Sequence, residues 1–194
     1  MFKHILISCL SAILILGCTT YDRSPSGDQS NSVLAVGPCP GIGWTNFPNP
    51  PQVNNDHVFC GEIRNGNAKG FHSRPDGDNP ATVTNFNITQ APNAAGVYGG
   101  IVTLNIHGAT AQKFSTMFPD SCTQEEVDNS ISYAAVNQIA CPAAAPNWAV
   151  CGYSRPDPVL PTQGPYCEGD DESRLTVAMG LTANGNVNTG FPVR

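Results

Sequence analysis

The feature that most constrains this chain is the dipeptide Asn65-Gly66, because Asn-Gly is the strongest short-range sequence signal for a two-residue β-hairpin turn. It predicts two antiparallel strands within residues 56–75, with Arg64 paired to Asn67. Side chains alternate between the two faces of such a ladder. The pairs expected on one face are His57 with Arg74, Phe59 with His72, Gly61 with Gly70 and Ile63 with Ala68. The pairs expected on the other face are Val58 with Ser73, Cys60 with Phe71, and Glu62 with the oppositely charged Lys69.

This register has a chemical consequence for the two histidines of the hairpin. His57 and His72 become diagonal neighbours on one face, roughly 7–8 Å apart by backbone. Two imidazoles at that spacing can flank one phosphate. Gly61 and Gly70 place no side chain on the same face, so a ligand could approach the backbone there. The alternative is that both histidines are ordinary half-exposed strand residues.

The first residues are predicted to be an export signal rather than part of the fold. An apolar run at residues 5–16 follows a basic start and is too short to cross a bilayer comfortably. The run ends in Ile15-Leu16-Gly17-Cys18, which resembles a bacterial lipobox. By that resemblance residues 1–17 are removed and Cys18 carries lipid, and Thr19 in place of Asp indicates the outer membrane. Cleavage by an ordinary signal peptidase is the alternative.

Composition divides the rest of the chain into two parts. Residues 18–36 are polar with few large apolar side chains, which is typical of a flexible tether. Residues 37–194 are long enough for one domain with a substantial core. The net charge of the chain is −6, and the only lysines after the signal are Lys69 and Lys113. This balance argues against a broad basic surface, so any polyanion is expected to bind locally and in a salt-sensitive manner.

The cysteines indicate an oxidising compartment. Of the eight cysteines in the chain, Cys9 falls in the signal and Cys18 is the lipid site. The remaining cysteines are disulfide candidates: Cys39, Cys60, Cys122, Cys141, Cys151 and Cys167. A zinc site is the alternative, but the paired C-x-x-C spacing typical of such sites is missing from the sequence. The sequence leaves the pairing of these cysteines open.

The remaining patterns predict an α+β domain of largely antiparallel β-sheets with one amphipathic helix and disulfide cross-links. Alternating side chains indicate strands at residues 82–88 and 98–106. Thr123 and Glu126 form a capping box for a helix that is expected to run to about Ile139. Lys113 is expected between the second of these strands and the helix. Residues 141–171 are rich in proline and are expected to form an irregular loop held by disulfides.

A second Asn-Gly pair, Asn184-Gly185, predicts a hairpin formed by residues 174–182 and 186–193. Its register places Thr189 opposite Gly180 and Phe191 opposite Ala178. Thr189 and Phe191 therefore share a face that their small partners leave open. A plain edge hairpin without a site is the alternative.

Together these segments resemble the bacterial EndoU-type endoribonucleases. Asp56-His57-Val58-Phe59 and Gly70-Phe71-His72-Ser73-Arg74-Pro75 resemble the two-histidine core of that family. Lys113-Phe114-Ser115-Thr116-Met117-Phe118-Pro119, followed by a capped helix, resembles its lysine segment. Thr189-Gly190-Phe191-Pro192 resembles its closing Thr-x-Tyr-Pro element. The segments occur in the family's order, so the resemblance implies an EndoU-like fold for residues 37–194.

The resemblance also implies an activity, namely cleavage of single-stranded RNA with a preference for uridine. In that reaction the ribose 2′-hydroxyl attacks the adjacent phosphate and leaves a 2′,3′-cyclic phosphate. By resemblance His72 is the base, His57 is the acid and Lys113 is the cation that stabilises the transition state. Thr189 would hydrogen-bond the uracil, and Phe191 would stack on it or close the pocket. The chemistry requires no metal, and because manganese assists some members of the family, stimulation by manganese is left open.

One departure from the family pattern bears on function. Phe191 stands where the family usually has tyrosine, so uridine preference or rate is expected to be reduced. The expected partners are single-stranded RNA and, through the lipid, the outer membrane on its periplasmic or surface-facing side, with an inhibitor protein as a further candidate. We expect a monomer.

Three alternatives to the enzyme remain. The first is a non-catalytic EndoU-like binding lipoprotein of the envelope, which the negative charge and Phe191 favour. The second is metal-dependent hydrolysis with Asp56, His57 and His72 as ligands. The third is a purely structural envelope lipoprotein.

Overall fold

The computed structural model describes Cys39, residues 41–46 and residues 51–194. The predicted signal segment, the tether and Cys18 lie outside the described residues. The described part contains a π-helical turn, Asp56–Cys60, a 3₁₀ turn, Pro75–Gly77, and the helix α1, Gln124–Val136. Its strands are β1 Glu62–Arg64, β2 Asn67–Lys69, β3 Val83–Gln90, β4 Tyr98–Ile106, β5 Ala109–Met117, β6 Gln138–Ile139, β7 Val150–Tyr153, β8 Thr176–Leu181 and β9 Val187–Pro192. The pairings between these strands are antiparallel, which confirms the α+β class.

The hairpin around Asn65-Gly66 forms as predicted only over its innermost pairs. β1 and β2 pair Arg64 with Asn67, Ile63 with Ala68 and Glu62 with Lys69. Beyond Glu62 and Lys69 the predicted register is wrong. Gly61 and Gly70 adopt φ values of 69° and 67°, so the backbone leaves the β region at both ends of the hairpin.

The histidine segments therefore cross in a way that the extended ladder did not predict. Residues before Gly61 form the π-helical turn, whose carbonyl groups receive hydrogen bonds from the chain after Gly70. The Phe71 N–H donates to the His57 carbonyl at 2.8 Å, and the His72 N–H donates to the Val58 carbonyl at 2.7 Å. A Cβ at Gly70 would overlap the His57 carbonyl, so this space is filled by backbone rather than open to a ligand.

β3, β4 and β5 form a three-stranded sheet in that order. β4 has the predicted bounds, and β3 covers the other predicted strand with a small shift. Lys113 lies between β4 and α1 as expected, but within β5, a strand that the sequence analysis did not predict, where it is opposite Val102. His107 and Gly108 both have positive φ values, 51° and 82°, so they close a two-residue turn and the chain returns at once as β5.

The second sheet has the order β6-β7-β8-β9. In its last hairpin the predicted pairs Gly180–Thr189 and Ala178–Phe191 are present, but next to the turn the predicted register is wrong, because a bulge after Gly180 places Leu181 opposite Val187. The proline-rich segment is not irregular throughout, because β7 lies within it and pairs with β8. Gly152 of β7 makes this possible, since a side chain there would collide with the backbone of α1 at Ala134.

The helix α1 begins as predicted and ends earlier. The Thr123 hydroxyl accepts a hydrogen bond from the Glu126 N–H at 3.3 Å, and the Glu126 carboxylate accepts one from the Thr123 N–H at 2.8 Å. Asn137 leaves the helical conformation, and the next residues form β6 instead of a last helical turn. The buried stripe of the helix is Val127, Ile131, Ala134 and Ala135.

Two apolar cores and three disulfides hold these elements. One core lies between α1 and the four-stranded sheet, and the other lies against the three-stranded sheet. The predicted disulfides are present and join Cys39 to Cys60, Cys122 to Cys167 and Cys141 to Cys151. None of the helices in the described ranges is both long and apolar enough to traverse a membrane.

Candidate active site

The two histidines lie side by side as predicted, but the extended ladder that was expected to place them there does not form. His57 is on the π-helical turn and His72 follows β2, and each is 7% exposed. Their ring centroids are 6.3 Å apart. The backbone bonds from Phe71 and His72 to the π-helical turn produce this proximity.

His72 is held through Nδ1. This atom lies 3.1 Å from the Thr116 carbonyl and 3.0 Å from the Ser115 hydroxyl. The Ser115 hydroxyl donates to the Phe71 carbonyl, so its oxygen is left to accept. A carbonyl can only accept, so Nδ1 carries the proton and Nε2 of the neutral ring carries the free electron pair. Burial, followed by the charges of Lys113 and His57, holds the pKa of His72 well below its usual value.

His57 has a different partner. Its Nδ1 lies 2.9 Å from the Glu62 carboxylate, which also accepts a hydrogen bond from Arg64 at 3.3 Å. Burial lowers the pKa of His57, and the hydrogen bond and negative charge of Glu62 oppose that shift. The charge of Lys113 disfavours the protonated form of both imidazoles, and the two rings differ because Glu62 stabilises the protonated form of His57 whereas His72 bonds to a neutral carbonyl and hydroxyl.

Lys113 lies within this cluster. Its Nζ donates to the Gly70 carbonyl at 2.8 Å and to the Ser115 hydroxyl at 3.1 Å. Burial, with a smaller contribution from Lys69, lowers the pKa of Lys113 to about 8. An ammonium group has three donors, so one N–H remains for a further acceptor.

β9 contributes the aromatic side of the site. The Phe191 ring stacks on His72 with centroids 5.0 Å apart and planes 29° apart. Phe191 also contacts Trp148, and the centroids of these two rings are 6.0 Å apart. Thr189 is two residues before Phe191 on the same strand face, and its methyl group lies beside Gly180. The structure thus brings His57, His72, Lys113 and Phe191 together, with Thr189 adjoining them.

Two residues of the cluster were missed by the sequence prediction. Glu62 was assigned to Lys69 across the ladder, and the register is right, but the carboxylate bonds to His57 and Arg64. The bend at Gly61 turns His57 back toward Glu62, and no local pattern signals that contact. Ser115 could have been found from its spacing, since a side chain two residues from Lys113 in a strand lies on the same face.

Asp56, the third ligand of the alternative metal site, points elsewhere. Its carboxylate accepts hydrogen bonds from the N–H groups of Gly41, Ile42 and Gly43 at 2.7, 3.0 and 3.1 Å. Among Cys39, residues 41–46 and residues 51–194, no group of three or more His, Cys, Asp or Glu side chains is arranged to hold a metal ion.

Two adjacent imidazoles with different partners, beside a buried lysine, are an arrangement able to perform acid–base catalysis, and here they lie on an antiparallel α+β domain. Residues 51–194 match the family described as Bacterial EndoU nuclease. This match covers more than half of the chain, so the chain belongs to that nuclease family, and the predicted resemblance is confirmed. Neither a curated protein nor a solved structure matches the chain.

Proposed function

We propose that this domain cleaves single-stranded RNA, preferentially at uridine, by transesterification. The ribose 2′-oxygen bonds to phosphorus while the bond from phosphorus to the 5′-oxygen breaks, which leaves a 2′,3′-cyclic phosphate and a 5′-hydroxyl. One group must accept the 2′-hydroxyl proton, and another must donate a proton to the departing 5′-oxygen. The observation that carries the proposal is the difference between the partners of the two imidazoles, a carboxylate for His57 and a neutral carbonyl for His72.

His72 has the properties of the base. Its Nδ1 proton is held by the Thr116 carbonyl, so the free electron pair is on Nε2. Its depressed pKa keeps the ring neutral at neutral pH. A neutral imidazole of fixed orientation can accept the 2′-hydroxyl proton without first losing one.

His57 has the properties of the acid. The Glu62 carboxylate fixes Nδ1 as a donor and stabilises the imidazolium, whose Nε2 proton then goes to the 5′-oxygen. A bound phosphate places a further negative charge near the ring and raises its pKa in the complex. After cleavage the proton must pass from His72 back to His57 through solvent.

Lys113 supplies positive charge to the reacting phosphate. Two of its three N–H donors are used by Gly70 and Ser115, so its direction is fixed before substrate binds. A preorganised cation stabilises the charge that develops on the non-bridging oxygens. Thr189 and Phe191 are proposed to hold the uracil, as the family motif implies.

The reaction as proposed uses only these side chains, and manganese is proposed to be at most a stimulant. The test uses the chain purified with its disulfides formed, incubated in EDTA with a short RNA that contains one uridine. We expect a 2′,3′-cyclic phosphate end from the wild type and none from His72→Ala. Cleavage that requires added metal would contradict the metal-independent mechanism.

The non-catalytic binding lipoprotein is the second candidate, and the net charge of −6 together with Phe191 favours it. Failure of the wild type to cleave RNA in EDTA or with manganese would favour this candidate. The chain is further proposed to be a monomer anchored to the outer membrane through Cys18. Loss of lipid labelling in Cys18→Ser, with the protein released from membranes, would support that anchoring.

A further inference from the structure

Trp148 is an exposed aromatic residue beside the proposed catalytic cluster. Its side chain is 61% exposed, although the indole is a large apolar group. It belongs to a loop whose two ends are joined by the disulfide Cys141–Cys151. Backbone hydrogen bonds from Ala145 to Pro142 and from Ala149 to Pro146 add two turns inside this loop, so Trp148 sits on a closed and internally bonded segment.

The loop places the indole next to the residues that are proposed to hold the uracil. Trp148 contacts Phe191, which itself stacks on His72. A Cβ at Gly180 would lie 3.2 Å from Cζ3 of Trp148 and 3.0 Å from the methyl group of Thr189. The missing side chain of Gly180 therefore allows Trp148 and Thr189 to lie over the same position of β8.

The contact between Trp148 and Phe191 leaves most of the indole uncovered. One contact of Phe191 is a near-parallel stack with His72, whereas Trp148 meets it at 59°. Ring centroids 6.0 Å apart correspond to direct aromatic contact, so the exposed part of the Trp148 indole is the part that faces away from Phe191. A flat, polarisable group stacks on such an exposed indole better than an aliphatic group does.

The charge of the chain limits the kind of group that can bind at Trp148. The chain carries a net charge of −6, and only one lysine lies in the cluster. Counterion release at phosphates therefore contributes little to affinity. Stacking of bases on aromatic side chains does not need a basic surface and tolerates different sequences.

We propose that Trp148 is a stacking platform for a nucleobase of the RNA beside the cleaved phosphate. This inference rests on the proposed endoribonuclease function and adds a base-binding residue outside the four family segments. The disulfide loop presents the platform, and Gly180 makes room for it.

The test compares Trp148→Ala, Trp148→Phe and wild type in the full chain with an RNA containing one uridine. We expect Trp148→Ala to raise KM about tenfold with little change in kcat, and Trp148→Phe to stay within about threefold of wild type. The salt dependence of KM should be the same in Trp148→Ala as in wild type, because no phosphate contact is lost. Phe114→Ala is the matched control, since Phe114 is also exposed and lies in β5 between Lys113 and Ser115 on the opposite face.

A second measurement locates the base. RNAs with an abasic ribose on either side of the cleaved phosphate are combined with Trp148→Ala in a double-mutant cycle. With the RNA that lacks the stacked base, Trp148→Ala should have almost no effect on KM. An unchanged KM in Trp148→Ala, or a full effect with both abasic RNAs, would overturn the inference while leaving the cleavage reaction intact.

Failure of the proposed function is recognised separately. The chain has two tryptophans, so in a Trp44→Phe background the fluorescence reports Trp148. An oligonucleotide with 2′-deoxyuridine at the cleavage position binds without reacting. Quenching by this probe without cleavage of RNA by wild type would reject the nuclease proposal and keep the base platform, whereas no quenching would reject the platform.

Discussion

Two buried polar clusters lie next to the π-helical turn, and they differ in how their buried polar atoms are hydrogen-bonded. In the histidine cluster, Nδ1 of each ring has a hydrogen-bond partner, and burial lowers the pKa of both His57 and His72. In the second cluster, the Asn55 side chain donates to Oδ2 of Asp128 at 3.1 Å. Within the described part of the chain, Asn55 Oδ1 and Asp128 Oδ1 are buried without a partner. Burial raises the pKa of Asp128 to about 7, with Asn55 and Gln124 as its polar neighbours.

In both clusters the cause of the pKa shift is burial, but burial weakens proton binding by the histidines and strengthens proton binding by Asp128. Burial disfavours charge, so the histidines lose protons more easily and Asp128 keeps its proton more firmly. Asp128 stays protonated in the fold to about pH 7 but ionises near 3.8 when unfolded. The free energy of unfolding should therefore fall as pH rises from about 4 to about 7. The histidines bind protons more tightly in the unfolded chain than in the fold. Their contribution to the free energy of unfolding is therefore complete above about pH 6.5 and is lost as pH falls below that value.

The largest expected effect comes from removing the base of the histidine cluster. His72→Ala should lower kcat for RNA cleavage by about a thousandfold, since proton transfer by a positioned side chain contributes on the order of 10²–10⁴. Single-turnover kinetics with the one-uridine RNA measure this loss.

The matched control for this variant is His107→Asn, because His107 is exposed in the β4–β5 turn and asparagine tolerates its positive φ. The control should cleave at the wild-type rate. Retention of activity in His72→Ala would show that the cluster is not catalytic.

The second cluster is tested by Asp128→Asn. An amide can donate to Asn55 Oδ1 without a proton to lose, so the variant should lack the decline in stability between pH 4 and pH 7. The difference between the free energies of unfolding of the variant and the wild type should therefore increase by on the order of 4 kcal/mol, in favour of the variant, from pH 4 to pH 7. Urea unfolding at several pH values measures the difference, and exposed Asp76→Asn should leave the wild-type profile unchanged. A wild-type decline that persists in Asp128→Asn would assign it to other groups.

A smaller effect is expected from Glu62→Gln. The neutral amide no longer stabilises protonated His57, so its pKa should fall further and kcat/KM near pH 7 should drop about tenfold. Since the pKa values of both histidines lie below 6.5 in wild type, the profile of kcat/KM should peak on the acidic side of neutrality. The decline of kcat/KM at high pH, which reports deprotonation of His57, should shift to lower pH in Glu62→Gln. Glu125→Gln, which changes an exposed residue of α1, should leave that decline where it is. An identical profile in both variants would remove Glu62 from the mechanism.

The smallest effect is expected from Phe191→Tyr. A hydroxyl at this ring adds one hydrogen bond of about 1 kcal/mol to the base, which corresponds to about a fivefold gain in kcat/KM for uridine over cytidine. Competition between two RNAs that differ at one base measures the ratio. Phe114→Tyr makes the same change on the far face of β5 and should leave the ratio unchanged. A lower ratio in Phe191→Tyr would show that the hydroxyl disturbs the stack with His72.

The parts of this fold that sequence predicted are the parts that local chemistry determines. Asn184-Gly185 located the turn between β8 and β9, although a bulge after Gly180 shifts the register beside that turn, and the Thr123 capping box determined the start of α1. The register around Asn65-Gly66 held until the glycines at its ends left the β region, which no pattern of alternating residues reveals. Family motifs identified the residues of the candidate site, but their packing depends on contacts between distant segments. The bond between His57 and Glu62, the disulfide pairing and the Asn55–Asp128 pair all belong to this second kind.

The disulfide Cys39–Cys60 has a mechanical consequence for His57. It closes a loop between residues separated by 21 positions, and the π-helical turn lies inside that loop. Tension applied to the chain ahead of Cys39 passes through the sulfur atoms to Cys60 and onward to Gly61. The covalent path of this load therefore bypasses the segment between the two cysteines, which includes His57.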